Sequence, residues 1–220
     1  KSGKINHKAI LIASKILLLI QHLNLIFMAL TESYMLPLKT EAPSFSLTNV
    51  VSGQKESLKQ LKGSSGTLII FMCNHCPYVV HLMDAIVNTA SKFSKIGVNT
   101  IAISSNSIIS HPQDGPENMK NLALEKEFSF PYLFDDTQEV AHAYKAACTP
   151  DFYLFDSELS LYYRGRYDDS RPGNDQPITG KDLHQACTSM LKGEPTESLQ
   201  YPSMGCNIKW FEGNSPEKRS

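Results

Sequence analysis

One short stretch restricts the fold more than any other: a fully apolar run that passes, through four polar or sulfur-bearing residues, into a helical pattern. Thr67-Leu68-Ile69-Ile70-Phe71-Met72 follows Gly66 without a polar break, as expected of a strand covered on both faces. Beyond Pro77, residues Val79, Leu82, Met83, Ile86, Ala90 and Phe93 recur at the spacing that lines one face of a helix. The same alternation continues downstream. Val98 to Ser104, entered through Gly97, reads as a second buried strand. Glu117 to Phe128 is amphipathic, Tyr132-Leu133-Phe134 a short strand, and Thr137 to Tyr144 a helix. Asp151 to Asp156 and Leu161 to Gly165 read as strands paired around a turn at Ser157-Glu158. A Pro-, Gly- and Asp-rich loop follows over Asp168 to Pro177, then a closing helix from Gly180 to Leu191. Upstream, Ala42 to Leu47 alternates like an edge strand with Pro43 at its start, Ser52-Gly53 makes a turn, and Leu58 to Lys62 a helical turn. Strands alternating with helices predict an α/β sandwich around a mixed sheet.

A length of 220 residues suits one domain with extensions. Hydrophobic and charged fractions of 41% and 20% exclude wholesale disorder and a polytopic membrane protein. A net charge of −1 gives no electrostatic reason to expect nucleic acid. The chain divides into an N-terminal extension over 1–27, a domain over 28–194 and a partly docked tail over 195–220. The extension carries Lys1, Lys4, Lys8 and Lys15 and no acid, while every Asp and Glu lies beyond it. Its apolar stretch is broken by Lys15, Gln21, His22 and Asn24, and a central Lys costs about 2.5–3.5 kcal/mol on insertion scales. It therefore reads as a non-native or upstream-translated extension ahead of a start at Met28, as a targeting or anchor segment, or as a docked helix. The first reading implies a cytoplasmic protein; the second implies export or membrane association.

Cys73-Asn74-His75-Cys76 is the strongest chemical signal. A Cys-x-x-Cys pair between a buried strand and a helix is expected to put both sulfurs on the first helical turn. There, free N–H groups and the dipole favour a thiolate. The expectation is that Cys73 holds the low pKa, with His75 adding positive charge and Pro77 fitting the first turn of the helix. An ordinary thiol with a pKa of about 8.5 is roughly 3% ionised at pH 7. A lower pKa gains little in attack rate, because nucleophilicity falls with it, but it makes a better leaving group and stabilises the reduced form. That is the profile of a thiol–disulfide exchanger.

Competing readings are weaker. Zinc needs a second Cys/His pair of similar spacing, and Cys148, Cys187 and Cys206 are solitary, so no metal and no cofactor is expected. Asp135-Asp136 with Glu139 suits a helix start better than an acid/base pair, and His111, His142 and His184 suit surfaces or helix faces.

Phe71 through Val79, with Cys73 and Cys76 at its centre, resembles the active-site segment of thioredoxin-fold proteins of the redoxin group. It is most similar to the peroxiredoxin-like "thioredoxin family protein" branch, akin to alkyl hydroperoxide reductase and thiol-specific antioxidant proteins. Ala42 to Leu47 resembles that group's N-terminal strand, and Ala146 to Phe152 its segment around a cis-proline. Tyr163 to Arg166, Asp168 to Pro172 and Ser203 to Trp210 also resemble the branch. The resemblance implies a thioredoxin-like α/β/α sandwich with a mixed central sheet and redoxin-type N-terminal strands. It further implies that Pro150 is cis beside the cysteine pair, leaving the Thr149 backbone free to orient an extended substrate.

The peroxidase pattern itself is missing. Where peroxiredoxins have Pro and Thr or Ser, this chain has Ile69 and Cys73 if Cys76 is the peroxidatic residue, or Gly66 and Ile70 if Cys73 is. The distant arginine would be Arg164, Arg166 or Arg171. The expected activity is thiol–disulfide exchange in which Cys73 attacks and Cys76 resolves. Its partners are protein or small-molecule disulfides and thiols, with an unidentified reductant or oxidant. The rivals are a thiol-dependent peroxidase and an adaptor without turnover. Cys148 reads as packing beside the site. Cys206, in a tail segment holding the only Trp, is expected near the active-site face, either as a buried filler or as a third thiol exchanging with Cys73 or Cys76.

Overall fold

Residues 66–71 form the centre of the sheet, every one of them buried, and the rest of the fold is organised around them. The computed structural model describes residues 30–197 and 199–216; the extension over 1–27 lies outside the described residues. The strands are β1 (Leu30–Glu32), β2 (Ser46–Asn49), β3 (Lys55–Ser57), β4 (Gly66–Phe71), β5 (Val98–Ser104), β6 (Tyr132–Phe134), β7 (Cys148–Thr149), β8 (Asp151–Asp156), β9 (Leu161–Gly165) and β10 (Met204–Asn207). The helices are α1 (Leu58–Leu61), α2 (Pro77–Ser94), α3 (Pro116–Glu125), α4 (Glu139–Ala143) and α5 (Lys181–Leu191), with a 3₁₀ turn at Pro112–Asp114.

The main sheet runs β3-β2-β6-β5-β4-β8-β9. Strands β4, β5 and β6 are parallel neighbours; the remaining pairings are antiparallel. A small second sheet has the order β1-β10-β7. This is the expected mixed α/β sandwich, with two differences. Ala42 to Phe45 precede the strand, and β2 pairs on both sides, so it is not an edge. Nor does the segment beyond Pro195 merely rest on the body: it contributes β10, and Ile208 is buried in the main core cluster with Trp210 packed against it.

Helix α2 turns Val79, Leu82, Met83, Ile86, Ala90 and Phe93 inward, as their spacing requires. Gly63 is needed for close approach, because a Cβ there would strike the carbonyl oxygens of Gly66 and Gly97. On one face of the sheet Phe71 packs edge-on against Tyr153 at 5.9 Å and tilted against Tyr144 at 5.6 Å. Phe71→Ala is expected to lower unfolding free energy by about 3–5 kcal/mol. Urea denaturation would show this as a lower midpoint at unchanged slope.

Candidate active site

The chain leaves β4 still held to β5, with Met72 N–H donating to Ile103 O at 2.9 Å. It then bends through Asn74 and His75 and enters α2 only at Pro77, whose missing N–H is tolerated at the first helical position. Cys76 is therefore the N-cap residue, its carbonyl accepting from Val80 N–H at 2.9 Å. Cys73 precedes the helix altogether, so the two sulfurs do not share its first turn. The bend is fixed from outside. Asp114, fully buried, accepts from Asn74 N–H at 2.9 Å and from Asn106 Nδ2 at 2.8 Å, and lies 2.7 Å from His75 Nδ1. Asn74 Nδ2 also donates to Gln113 O at 3.0 Å.

Cys73 and Cys76 are 1% and 0% exposed, and both meet Thr149. Its hydroxyl lies 3.5 Å from Cys73 Sγ, and its carbonyl oxygen 3.1 Å from Cys76 Sγ. The Thr149-Pro150 bond is cis, as the resemblance implies. A third sulfur completes the group: Cys206 Sγ lies 2.9 Å from Cys76 Sγ.

Of the three sulfurs, the middle one has its pKa lowered and the outer two have theirs raised. The neighbouring Cys206 and Cys73 sulfurs pull the Cys76 thiol below its ordinary value against the effect of burial, helped by Thr149 and Val79 N–H, while the Thr149 carbonyl oxygen 3.1 Å from Sγ accepts from the protonated thiol and works the other way. Cys73 is pushed up by its hydrogen bond to Cys76, by burial, and by the negative charges of Asp114 and Cys76. Cys206 rises for the first two of these reasons. The lowering thus falls on Cys76, where helix-end arguments place it on Cys73. His75 Nδ1 sits 3.9 Å from Cys73 Sγ and 2.7 Å from Asp114, so its nearer partner is the carboxylate. Burial works to raise the Asp114 pKa, yet the hydrogen bonds from His75, Asn106 and Asn74 N–H hold it below the usual carboxylate value.

Other expected residues fall as follows. The Thr149 backbone is not free, because β10 pairs antiparallel with β7, placing Cys206 opposite Thr149 and Asn207 opposite Cys148. Cys148 packs, with Sγ 3.8 Å from Pro150 O and its pKa raised by burial. Arg164 turns away from the cysteines: it donates to Leu36 O at 2.8 Å and Gln200 Oε1 at 2.7 Å. Arg166 pairs with Asp182, and Arg171 reaches Met204 Sδ. Asp135 caps α4, accepting from Ala141 N–H at 2.9 Å. A cleft of about 210 Å³ opens beside Pro150, lined in part by Tyr78, His81, Arg171 and Met204. Among the described residues, Cys73, His75 and Asp114 have ligand atoms within 4.8 Å of one another and could meet at a cation. The Asp114 oxygens already accept from three donors, so the cluster reads as a hydrogen-bonded clamp. Asp114 escapes sequence reasoning because its link to the cysteine loop spans 40 positions and carries no local motif.

A profile of the AhpC/TSA family matches residues 38–164. The chain belongs to the AhpC/TSA family. It is similar to an uncharacterized conserved protein from Geobacillus kaustophilus, with 49% identity and a TM-score of 0.81 over 83% of this chain and 96% of that one. A hypothetical protein from Sinorhizobium meliloti 1021 matches at 40% identity and a TM-score of 0.80, over 83% of this chain and 100% of that one. A putative thioredoxin from Neisseria meningitidis, at 23% identity and a TM-score of 0.54, covers 71% of this chain and 93% of its own and shows the shared thioredoxin fold. No curated protein matches the sequence. The family and fold make this a thioredoxin-like redox protein of the redoxin type.

Proposed function

We propose that the chain is a thiol–disulfide oxidoreductase acting through the Cys73/Cys76 dithiol–disulfide couple. The observation that carries this reading is the placement of the pair: Cys76 caps the helix with its Sγ 3.1 Å from the Thr149 carbonyl oxygen, and Cys73 Sγ lies 3.5 Å from the Thr149 hydroxyl, directly ahead of cis-Pro150. The Cys76 thiolate attacks one sulfur of a substrate disulfide; a mixed disulfide forms and the other substrate sulfur leaves as thiolate. Cys76 has then lost its charge, and with it go two of the causes that keep Cys73 protonated. The Cys73 sulfur next attacks Cys76, the internal disulfide closes, and the second substrate thiol departs. The substrate disulfide gains two electrons, and the pair loses them. Cys73 thus stays protonated until its turn comes.

A peroxidase reading gains no support from the arginines, which are engaged by Leu36, Gln200, Asp182 and Met204. Insulin reduction with dithiothreitol as donor, run beside hydrogen peroxide consumption, tests the assignment. Catalysed disulfide reduction with peroxide loss at the rate of free thiols is expected; the opposite ranking, or activity in neither assay, overturns it. Stabilisation of the Cys76 thiolate favours the reduced form. Equilibration with glutathione should accordingly give a reduction potential less negative than the roughly −270 mV of thioredoxin; a value below that would contradict the charge assignment.

A further inference from the structure

The position at which an extended partner would pair, the backbone of Thr149 ahead of cis-Pro150, is filled by the chain's own strand β10. The fit is close. Cys206 lies opposite Thr149 in the register, Ile208 N–H donates to Ala147 O at 3.0 Å, and Lys209 N–H donates to Asn106 Oδ1 at 2.8 Å beyond it. Only glycine suits position 205, because a Cβ there would run into the Thr149 carbonyl oxygen. Gln138 ties the same segment from the other side, donating to Lys209 O at 2.9 Å and accepting from Phe211 N–H at 2.9 Å. Ile208 is 1% exposed. A strand held at so many points delivers its cysteine to a fixed place, 2.9 Å from Cys76 Sγ. A filler cysteine needs no sulfur within reach; this one faces the sulfur at the centre of the site.

We propose that β10 is an internal partner strand and that Cys206 is a third redox thiol, which takes Cys76 into a Cys76–Cys206 disulfide and so covers the site from within. The proposal rests on the Cys73/Cys76 couple described above, which supplies the oxidising equivalents. In the oxidised couple Cys73 and Cys76 are joined. Cys206 gives up its proton and attacks Cys76 Sγ. The Cys76–Cys206 bond forms, the Cys73–Cys76 bond breaks, and Cys73 leaves as a thiolate that takes up a proton. No electron enters or leaves: the two-electron oxidation already taken from an external disulfide moves from one sulfur pair to another. The product has a free Cys73 and a covalently fastened β10, so an extended partner gains the Thr149 edge only after that bond is reduced and the strand released.

The test uses the full chain, reduced, freed of reductant and treated with one equivalent of diamide. Acid quenching, alkylation with N-ethylmaleimide and peptide mapping then report which cysteines are paired. The expected wild-type result is two single-disulfide species, Cys73–Cys76 and Cys76–Cys206. Gly205→Ala, which moves the strand off Thr149 without touching a sulfur, should lose the Cys76–Cys206 species and keep Cys73–Cys76. A cooperative urea transition of the reduced variant shows that it has folded. Wild-type Cys206 recovered fully alkylated while Cys73–Cys76 forms would overturn the proposal and leave the oxidoreductase reading standing. Failure of any linkage to involve Cys73 would overturn that reading instead. Persistence of Cys76–Cys206 at its wild-type share in Gly205→Ala would overturn the seating of β10 as the means by which Cys206 is delivered.

Discussion

Cys76→Ser is expected to remove the thiolate that the reduced chain carries at neutral pH, whereas Cys73→Ser leaves it in place. Ultraviolet thiolate absorbance followed against pH measures both. In the wild type, one thiolate per chain should persist well into the acid range, because two thiol donors and a backbone N–H face Cys76 Sγ. Cys73→Ser spares the largest of these contacts, the one from Cys206. Cys76→Ser leaves Cys73 and Cys206 buried and no longer facing a charged acceptor. An ordinary thiol of pKa about 8.5 is only roughly 3% ionised at pH 7, and burial lowers that fraction further. Disulfide-exchange turnover should fall to background in the same variant, since no other sulfur is held as an anion for the first attack. A thiolate signal that follows Cys73 instead would reverse the assigned order of attack.

The same shifts set a pH dependence of stability for the reduced chain. Cys76 has a depressed pKa in the fold, so its contribution is fully present above the ordinary thiol value of about 8.5 and is lost as pH falls below it. Cys73 and Cys206 are raised in the fold, so their contribution is present below that value and is lost as pH rises above it. The three thiols together place a stability maximum near the ordinary thiol pKa. Cys76→Ser should flatten the acid side of this maximum, as read from denaturation midpoints across the pH range.

Legibility in the sequence followed the range of the interactions. Strand β4, helix α2 and the β8–β9 pair show themselves through side-chain periodicity, because burial on one or both faces imposes it locally. The apolar run from Thr67 and the helical stripe from Val79 appear in the fold nearly residue for residue. The cysteine pair, the Pro at the helix start and the X-Pro at Thr149-Pro150 were legible for the same reason: each is a local feature of a few residues. The charge distribution was not. Helix-end arguments assign it by position along the chain, but Cys206 and Asp114 act from sequence separations of 130 and 40, beyond the reach of any local pattern around the cysteine pair. Strand β10 escaped because four residues with Gly at the second position make a poor strand pattern. What makes it a strand is its pairing with β7, together with a backbone approach that only Gly205 permits. Ile208 and Trp210 did signal that the tail is held, since apolar residues in a polar stretch have to be covered by something.

Asp114 is where a single substitution should move stability and chemistry in opposite directions. Its carboxylate accepts from Asn74 N–H, Asn106 Nδ2 and His75 Nδ1 while fully buried, so Asp114→Ala strands three donors at once. A buried donor left without its acceptor costs about 1–3 kcal/mol, and the partial exposure of His75 puts its share toward the lower end. Asp114→Asn keeps the shape but directs an amide N–H₂ at one of those donors, a loss of about 1–3 kcal/mol. Because the folded pKa of Asp114 is depressed, its contribution is present above the ordinary carboxylate value of about 3.9 and is lost as pH falls through its lower folded value. The stability gap between wild type and Asp114→Asn should therefore narrow in acid. Chemistry responds the other way. The Asp114 charge is one of the causes holding Cys73 protonated, so its removal lets the resolving thiol ionise more readily. The pH profile of alkylation mapped to Cys73, and with it the alkaline rise of disulfide exchange, should shift to lower pH in Asp114→Asn even though the protein is less stable. Lost stability with an unmoved Cys73 profile would make Asp114 a brace for the Asn74-His75 bend alone, with no electrostatic hand in the timing of the second step.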